Sequence, residues 1–420
     1  MPIIMTPFNS PRFQLAILTV VLIGLVSPAV FADDWPQWRG PNRDARSQES
    51  GLLKKWPEDG PPLEWKTQGL GGGFSSISVA NGTIFTLGDL DDGCHVIALK
   101  EADGSPAWKT KIGEAGGHRK YPGPRSAPTV DGAQVFVLNQ HSDLACLDAK
   151  SGEKIWSVNL QADFGGKMMS GWKYSESPLV DGEAVICTPG GKEGTLLSLN
   201  RKTGKKLWQT SDWTNPAGYS SVIITTIHGV RQYVQLTGKS VAGIDPKSGD
   251  ILWKADRLGK TAVIATPVVH DNIVFVTSGY GIGCNAFGIN REGDKWTAGQ
   301  VYASSKFANH HGGVIAHDGH VYGSSGSMFA CMNLKSGELA YRERSAGKGA
   351  TVFAEGHFYL RSENGPVALI QSSSEKLKEV SRFEQPERSD MKAWPHPVIA
   401  NGKLYLRDQN LLLCYDLSAK

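Results

Sequence analysis

Leu147-Asp148-Ala149-Lys150-Ser151-Gly152-Glu153-Lys154-Ile155-Trp156 holds the unit whose recurrence decides the fold: an apolar run, an Asp or Asn, Gly four residues on, and an aromatic four beyond it. The same spacing stands in Leu99-Lys100…Gly104…Trp108, with Lys at the Asx position, in Leu199-Asn200…Gly204…Trp208, in Ile244-Asp245…Gly249…Trp253 and in Met332-Asn333…Gly337…Tyr341. A degraded copy reads Asn290…Gly293…Trp296. A unit recurring every ~40 to 50 residues is how radial and stacked repeat folds appear in sequence. The spacing needs no catalysis to explain it. A short Asx side chain bonds the backbone two residues on, and Gly takes the left-handed position that ends the turn. Asp148 and Asp245 are therefore expected as turn residues with Gly152, Gly204 and Gly249, and Trp108, Trp156, Trp208 and Trp253 as packing between neighbouring sheets.

A second signal precedes each unit. Residues 126–132, 177–182 and 397–402 each run as a short Pro- or Ser-led strand into Asp-Gly or Asn-Gly. Those pairs supply the positive φ of primed hairpin turns, and the following Val135-Phe136-Val137-Leu138 and Ile273-Val274-Phe275-Val276 have strand composition. Eight such turns occur, at 81–82, 131–132, 181–182, 228–229, 271–272, 318–319, 355–356 and 401–402. Each unit then supplies four strands, A to D, which make one blade. The last unit stops after its third strand at residues 411–416, while Leu63-Glu64-Trp65-Lys66-Thr67 is a fourth strand with no unit before it. The expected fold is all-β, an eight-bladed β-propeller of four-stranded antiparallel blades, closed by the N-terminal strand near Trp65 joining the C-terminal blade, which removes free sheet edges.

The 420 residues, 40% hydrophobic and 20% charged, suit a large globular core, and 49 Gly with 22 Pro suit a chain dense in turns. Residues 1–32 stand apart: Arg12 is the sole charge, residues 13–26 are nearly all apolar, and Val30-Phe31-Ala32 offers a small-residue cleavage point. A signal peptide over 1–32, an N-terminal extension over 33–62 and a single propeller domain over 63–420 are expected, giving an exported, periplasmic or secreted monomer with no transmembrane span after cleavage. With 44 basic against 41 acidic residues there is no electrostatic case for nucleic acid. The six cysteines form no CxxC, adjacent pair or CxxCH, which argues against a zinc ribbon, a redox dithiol or attached haem.

At Asp148 to Trp156 and Asn200 to Trp208 the chain resembles the pyrroloquinoline-quinone (PQQ) repeat family, over about residues 63–418. Trp35-Pro36-Gln37-Trp38-Arg39-Gly40-Pro41 looks like the start of many exported members. The family joins BamB-like assembly propellers to the propeller core of quinoprotein dehydrogenases, so the resemblance implies the fold and leaves chemistry open. Set against the dehydrogenase pattern, adjacent cysteines, long inserts and a haem motif are missing here.

If the A–B and C–D turns share one face of the disk, the D–A and B–C loops share the other, where the chain is irregular. Residues just before each strand A then ring the mouth of the channel: Arg125, Glu176, Tyr219, Thr266, His310, His311, Lys348, Trp394 and His396, with Phe74 and Ser75. These are the candidate ligand- or partner-binding residues. His310 and His311 read either as metal ligands joined by Glu176 and His396 or as a solvated loop on Gly312-Gly313; Arg125 and Glu176 read as a rim ion pair or a ligand clamp. Asp89, Asp91 and Asp92 lack EF-hand spacing, and no P-loop or Gly-x-Ser-x-Gly elbow is present. No catalytic residue and no metal site is assigned. The leading expectation is a binding or assembly scaffold for a protein or cell-envelope partner. A minimal PQQ-dependent dehydrogenase, with calcium and with Trp394 as stacking surface, is the alternative, and carbohydrate binding on Trp172, Tyr174 and Trp213 is a third.

Overall fold

The asparagines and aspartates before glycine act where hairpins need them. In the computed structural model, which describes residues 1–3 and 34–419, Asn81 and Gly82 have φ of 51° and 70° between strands Ser78–Ala80 and Thr83–Leu90. The chain divides into units of residues 1–31 and 32–420; the expected signal peptide lies outside the described residues. The second unit comprises eight sheets, seven of four strands and one of five. Within blade one the order is sequential: Ser78–Ala80, Thr83–Leu90, Gly93–Lys100, Pro106–Gly113. Blades two to seven repeat it over residues 129–159, 179–209, 223–256, 268–304, 315–344 and 349–383. Blade eight takes strands Val398–Ala400, Lys403–Asp408 and Leu411–Asp416 from the C-terminus, and its fourth, Leu63–Thr67, from the N-terminal part. Trp65 pairs with Cys414 and Thr67 with Leu412, so the ring closes as expected.

The A strands of consecutive blades touch one another, so they converge on the axis, while the D strands alternate exposed and half-buried at the rim. Apolar side chains fill the space between blades: Leu87, Val96 and Ala98 of blade one meet Val135, Val137 and Leu147 of blade two. All six cysteines are buried and unpaired within these layers. The only helix among the described residues is the single turn Leu160–Phe164, capped by Asn159 between blades two and three.

Every C–D pair carries a β-bulge, and in all blades but the seventh, where Ser381 stands, an aromatic lies beside it: Lys154 pairs with Leu147 but Trp156 with Cys146, and the other blades shift in the same way. The extra residue swings the ring over the next blade. Trp108, Trp156 and Trp208 donate their indole N–H to the carbonyls of Ala149, Arg201 and Pro246 at 3.1, 2.7 and 3.2 Å. The ring of each covers the next turn's glycine, and Trp65 likewise covers Gly104. Trp253 packs between blades four and five but bonds Gln232 of its own blade at 2.5 Å, because the degraded copy at Asn290 builds a plain hairpin, Gly283–Glu292 with Lys295–Ser304, that offers no Asx turn.

The segment after residue 33 crosses the centre of the ring. Trp35 bridges Val79, Pro36 accepts from Val130 N, Trp38 Nε1 donates to Thr266 Oγ1 at 3.1 Å, Arg39 reaches the Val314 carbonyl and Arg43 the Ser177 carbonyl. Arg46–Ser47 then adds a parallel fifth strand to Gly349–Ala354 of blade seven. Bonds to six blades require a path across the axis.

Candidate functional site

On the D–A loop face lies a cavity of about 290 Å³, lined by residues that precede the A strands of all eight blades. Its position on the axis follows from that lining. Of the expected mouth residues, Phe74, Arg125, Tyr219, His310, His311, Lys348, Trp394 and His396 line it. Ser75, buried with its hydroxyl on the Ser126 carbonyl, does not, nor do Glu176 and Thr266. Both are buried deeper in the channel: Glu176 Oε2 accepts from Thr188 N at 2.8 Å, and Thr266 holds the indole of Trp38. The reason is the N-terminal segment, which occupies the channel at their level and covers them. Burial pushes the Glu176 carboxyl up to about 8, against the pull of Thr188 and the nearby Arg43. Arg125 and Glu176 form no ion pair.

Loop crossings set the lining. Gly73 and Gly123 lie so close that a Cβ on Gly123 would stand 2.6 Å from Gly73 Cα, and this approach sets Phe74 beside Arg125. The Arg125 guanidinium sits 5.5 Å from the Phe74 ring centroid and donates to the carbonyls of Tyr121 and Gly123 at 2.5 and 3.2 Å. Gly312 abuts the Gly349 carbonyl and Gly313 abuts Arg39, pinning the loop that carries His310 and His311. The two imidazoles point to different partners, His310 Nε2 to the Tyr280 hydroxyl at 3.0 Å and His311 Nε2 to Glu363 Oε2 at 2.9 Å. Trp394 Nε1 donates to the same Glu363 oxygen at 3.0 Å, with Lys348 Nζ at 3.3 Å and Lys392 Nζ 3.9 Å from the other oxygen. His396 Nε2 donates to the His311 carbonyl, and its ring lies 4.4 Å from that of Trp38, which closes the floor.

Charge follows from these contacts. Burial lowers His310 and His396 to about 3 and lowers His311 as well, so the imidazoles are neutral at pH 7. Burial alone would raise Glu363; the His311 bond, the Lys348 charge and the Trp394 bond together hold it well below the usual carboxylate range. Burial lowers Arg125 to about 10, still cationic. The wall is otherwise aromatic: Trp394 lies 4.7 Å from both Phe74 and Tyr121, and Trp172 stacks on His118 at 4.1 Å and 11°. Of the rings considered for carbohydrate, only Trp172 lines the cavity; Tyr174 and Trp213 are buried, bonded to Pro189 O and Ser240 Oγ.

Tyr121, Tyr280, Glu363, Lys392 and Trp38 were not legible as site residues. Tyr121 and Lys392 sit two or more residues outside the strand-A window, Glu363 and Tyr280 come from B–C turns, and Trp38 comes from outside the ring altogether. Asp89 is a structural tie, accepting from Gly116 N at 2.6 Å and from Gln140. Among the described residues no cluster of three or more His, Cys, Asp or Glu is placed to hold a metal ion. Flat rings and Arg125 would suit the quinone part of a PQQ–calcium centre; the single carboxylate of the cavity, already shared among four partners, does not suit the calcium part.

The family model described as "Outer membrane protein assembly factor BamB" matches residues 92–343. A protein of that name from Moranella endobia is 26% identical over 286 residues, covering 61% of this chain and 67% of its own length. This chain thus spans about two thirds of the length of the first curated relatives it matches. A quinoprotein ethanol dehydrogenase from Pseudomonas aeruginosa is 26% identical over 123 residues, 29% of this chain and 19% of that protein. The crystal structure of BamB from Moraxella catarrhalis superposes with a TM-score of 0.60 at 15% identity over 85% of this chain and 99% of that one, a likeness of fold. Repeat, ring and matched residues agree, and the chain belongs to the BamB-type family of PQQ-repeat β-propellers.

Proposed function

We propose that this protein is an exported scaffold that docks proteins of the cell envelope through its D–A loop face. The observation that carries this reading is the family match over residues 92–343, described for an outer membrane protein assembly factor, joined to a loop face that gathers rings and cations from every blade. Export rests on the leader-like composition of residues 1–32. No helix among the described residues is long and apolar enough to cross a membrane. The dehydrogenase reading draws support from the flat cavity walls, but the calcium donors it needs are not gathered there among the described residues.

Photo-crosslinking in cells tests the reading. A crosslinking residue at exposed Lys120 or Lys192 on the loop face is expected to capture discrete envelope proteins, whereas one at Lys150 or Lys247 on the C–D turns is not. Equal capture from both faces would sink it, as would dye reduction with alcohols or sugars by the purified protein supplied with PQQ and calcium.

A further inference from the structure

The cavity has a surplus cation. Lys348 and Lys392 both approach Glu363, whereas Arg125 has no carboxylate within ion-pair distance among the described residues. A guanidinium carries five N–H donors in a planar fork. Its hydrogen bonds to the Tyr121 and Gly123 carbonyls use two of them, and the same bonds hold the fork still against Phe74. A held fork with free donors, desolvated at a cavity wall, is built to take a planar oxyanion in bidentate fashion.

Two further features narrow what carries that oxyanion. Phe74, Tyr121, Trp394 and Trp172 stand beside Arg125 as a row of rings, so the group next to the carboxylate is apolar. The floor is shut by Trp38 on His396, and about 290 Å³ lies just under the usual ~300–1,000 Å³ of small-molecule sites. A shallow blind cup admits the end of a chain and not a strand passing through.

We infer that the cup captures the C-terminus of a partner polypeptide ending in an aromatic residue, the one peptide feature that brings a carboxylate and a ring together on a single residue. Arg125 takes the α-carboxylate and the Trp394–Tyr121–Phe74 wall takes the side chain, a chain-end form of peptide recognition. This rests on the scaffold reading above and supplies its partner chemistry.

The test is fluorescence anisotropy of the purified protein with labelled Gly-Ser-Gly-Phe as the free acid, the same peptide amidated, a free acid ending in Ala, and an amidated peptide with an internal Asp-Phe. The free Phe acid is expected to bind, and amidation to weaken it about ten- to a hundredfold, the range for hydrogen bonds to a charged group. Arg125→Gln is expected to cause the same loss for the acid and no further loss for the amide, with Arg125→Lys intermediate and the urea unfolding midpoint of each variant checked against the parent. Trp394→Leu, which leaves Arg125 in place, is expected to weaken the Phe acid and not the Ala acid. Equal binding of acid and amide, binding of the internal Asp-Phe peptide as tightly as the acid, or saturable binding of PQQ alone with none of the peptides would each overturn the inference. If no peptide binds while Lys120 still crosslinks envelope proteins, the scaffold reading stands and the chain-end seat falls. If the crosslinks fail and the acid peptide binds, the reverse holds.

Discussion

Gly152 answers to two constraints at once. Its φ of 74° is left-handed, and a Cβ there would stand 2.5 Å from the Trp108 ring of the preceding blade. Gly132, in the A–B turn of the same blade, has φ of 61° with nothing within 4 Å of a Cβ. Both lose the backbone freedom of glycine on substitution, so their difference isolates the ring. Gly152→Ala is expected to cost about 1–3 kcal/mol more than Gly132→Ala, the range for overpacking, read from urea midpoints. Equal costs would remove the ring from the account. The turn chemistry was legible at this scale: Asp148 Oδ1 accepts from Lys150 N and Ser151 N at 3.0 and 2.7 Å, and Asp245 from Lys247 N and Ser248 N at 2.8 and 3.1 Å. Spacing alone predicts such local bonds because both partners lie within three residues. The second constraint on Gly152 was not legible, since Trp108 lies 44 residues away in the chain.

At the scale of elements, the bulge beside each aromatic and the loops over the axis do different work. The bulges repeat because the rim geometry repeats, and the loops differ because nothing in the ring requires them to agree. Glu363, in the B–C turn of blade seven, ties the D–A loops of blades six, seven and eight through His311, Lys348 and Trp394. Its carboxyl is held below its ordinary value of 4.5, so the folded state binds its proton less readily than the unfolded chain. The stability it contributes is present above the unfolded value and drains as pH falls below about 4.5. Glu363→Gln is therefore expected to destabilise the protein by about 1–3 kcal/mol at pH 7, the range for bonds to a charged group. That gap is expected to narrow progressively as pH falls below about 4.5; a gap independent of pH, measured by urea unfolding, would refute the assignment.

At the scale of the whole molecule, two N-terminal pieces have separable tasks. Leu63–Thr67 closes blade eight, and residues 34–47 cross the channel and floor the cup. Deleting 34–47 is expected to lower the unfolding temperature while leaving one cooperative calorimetric transition, because all eight blades remain four-stranded. Deleting 34–67 leaves blade eight with three strands and Leu411–Asp416 as an unpaired outer edge, and is expected to broaden or split the transition and raise dye binding to exposed apolar surface. If the two truncations unfold alike, closure through Trp65 does not govern cooperativity.

The repeat by itself determined the blade, the number of blades and the closing strand, because turns, strand composition and Asx–Gly spacing act over a few residues and recur with the period of the ring. It also placed eight of the eleven expected mouth residues on one cavity, since the start of strand A is a position that every blade brings to the axis. Only the tertiary structure decided which charges are spent and which remain. Glu363 and the floor residue Trp38 reach the cup from elements outside that register, and the crossing segment withdraws Glu176 and Thr266 from it. Such juxtapositions depend on loop paths between blades, where no period constrains the chain and long-range packing alone sets what meets what.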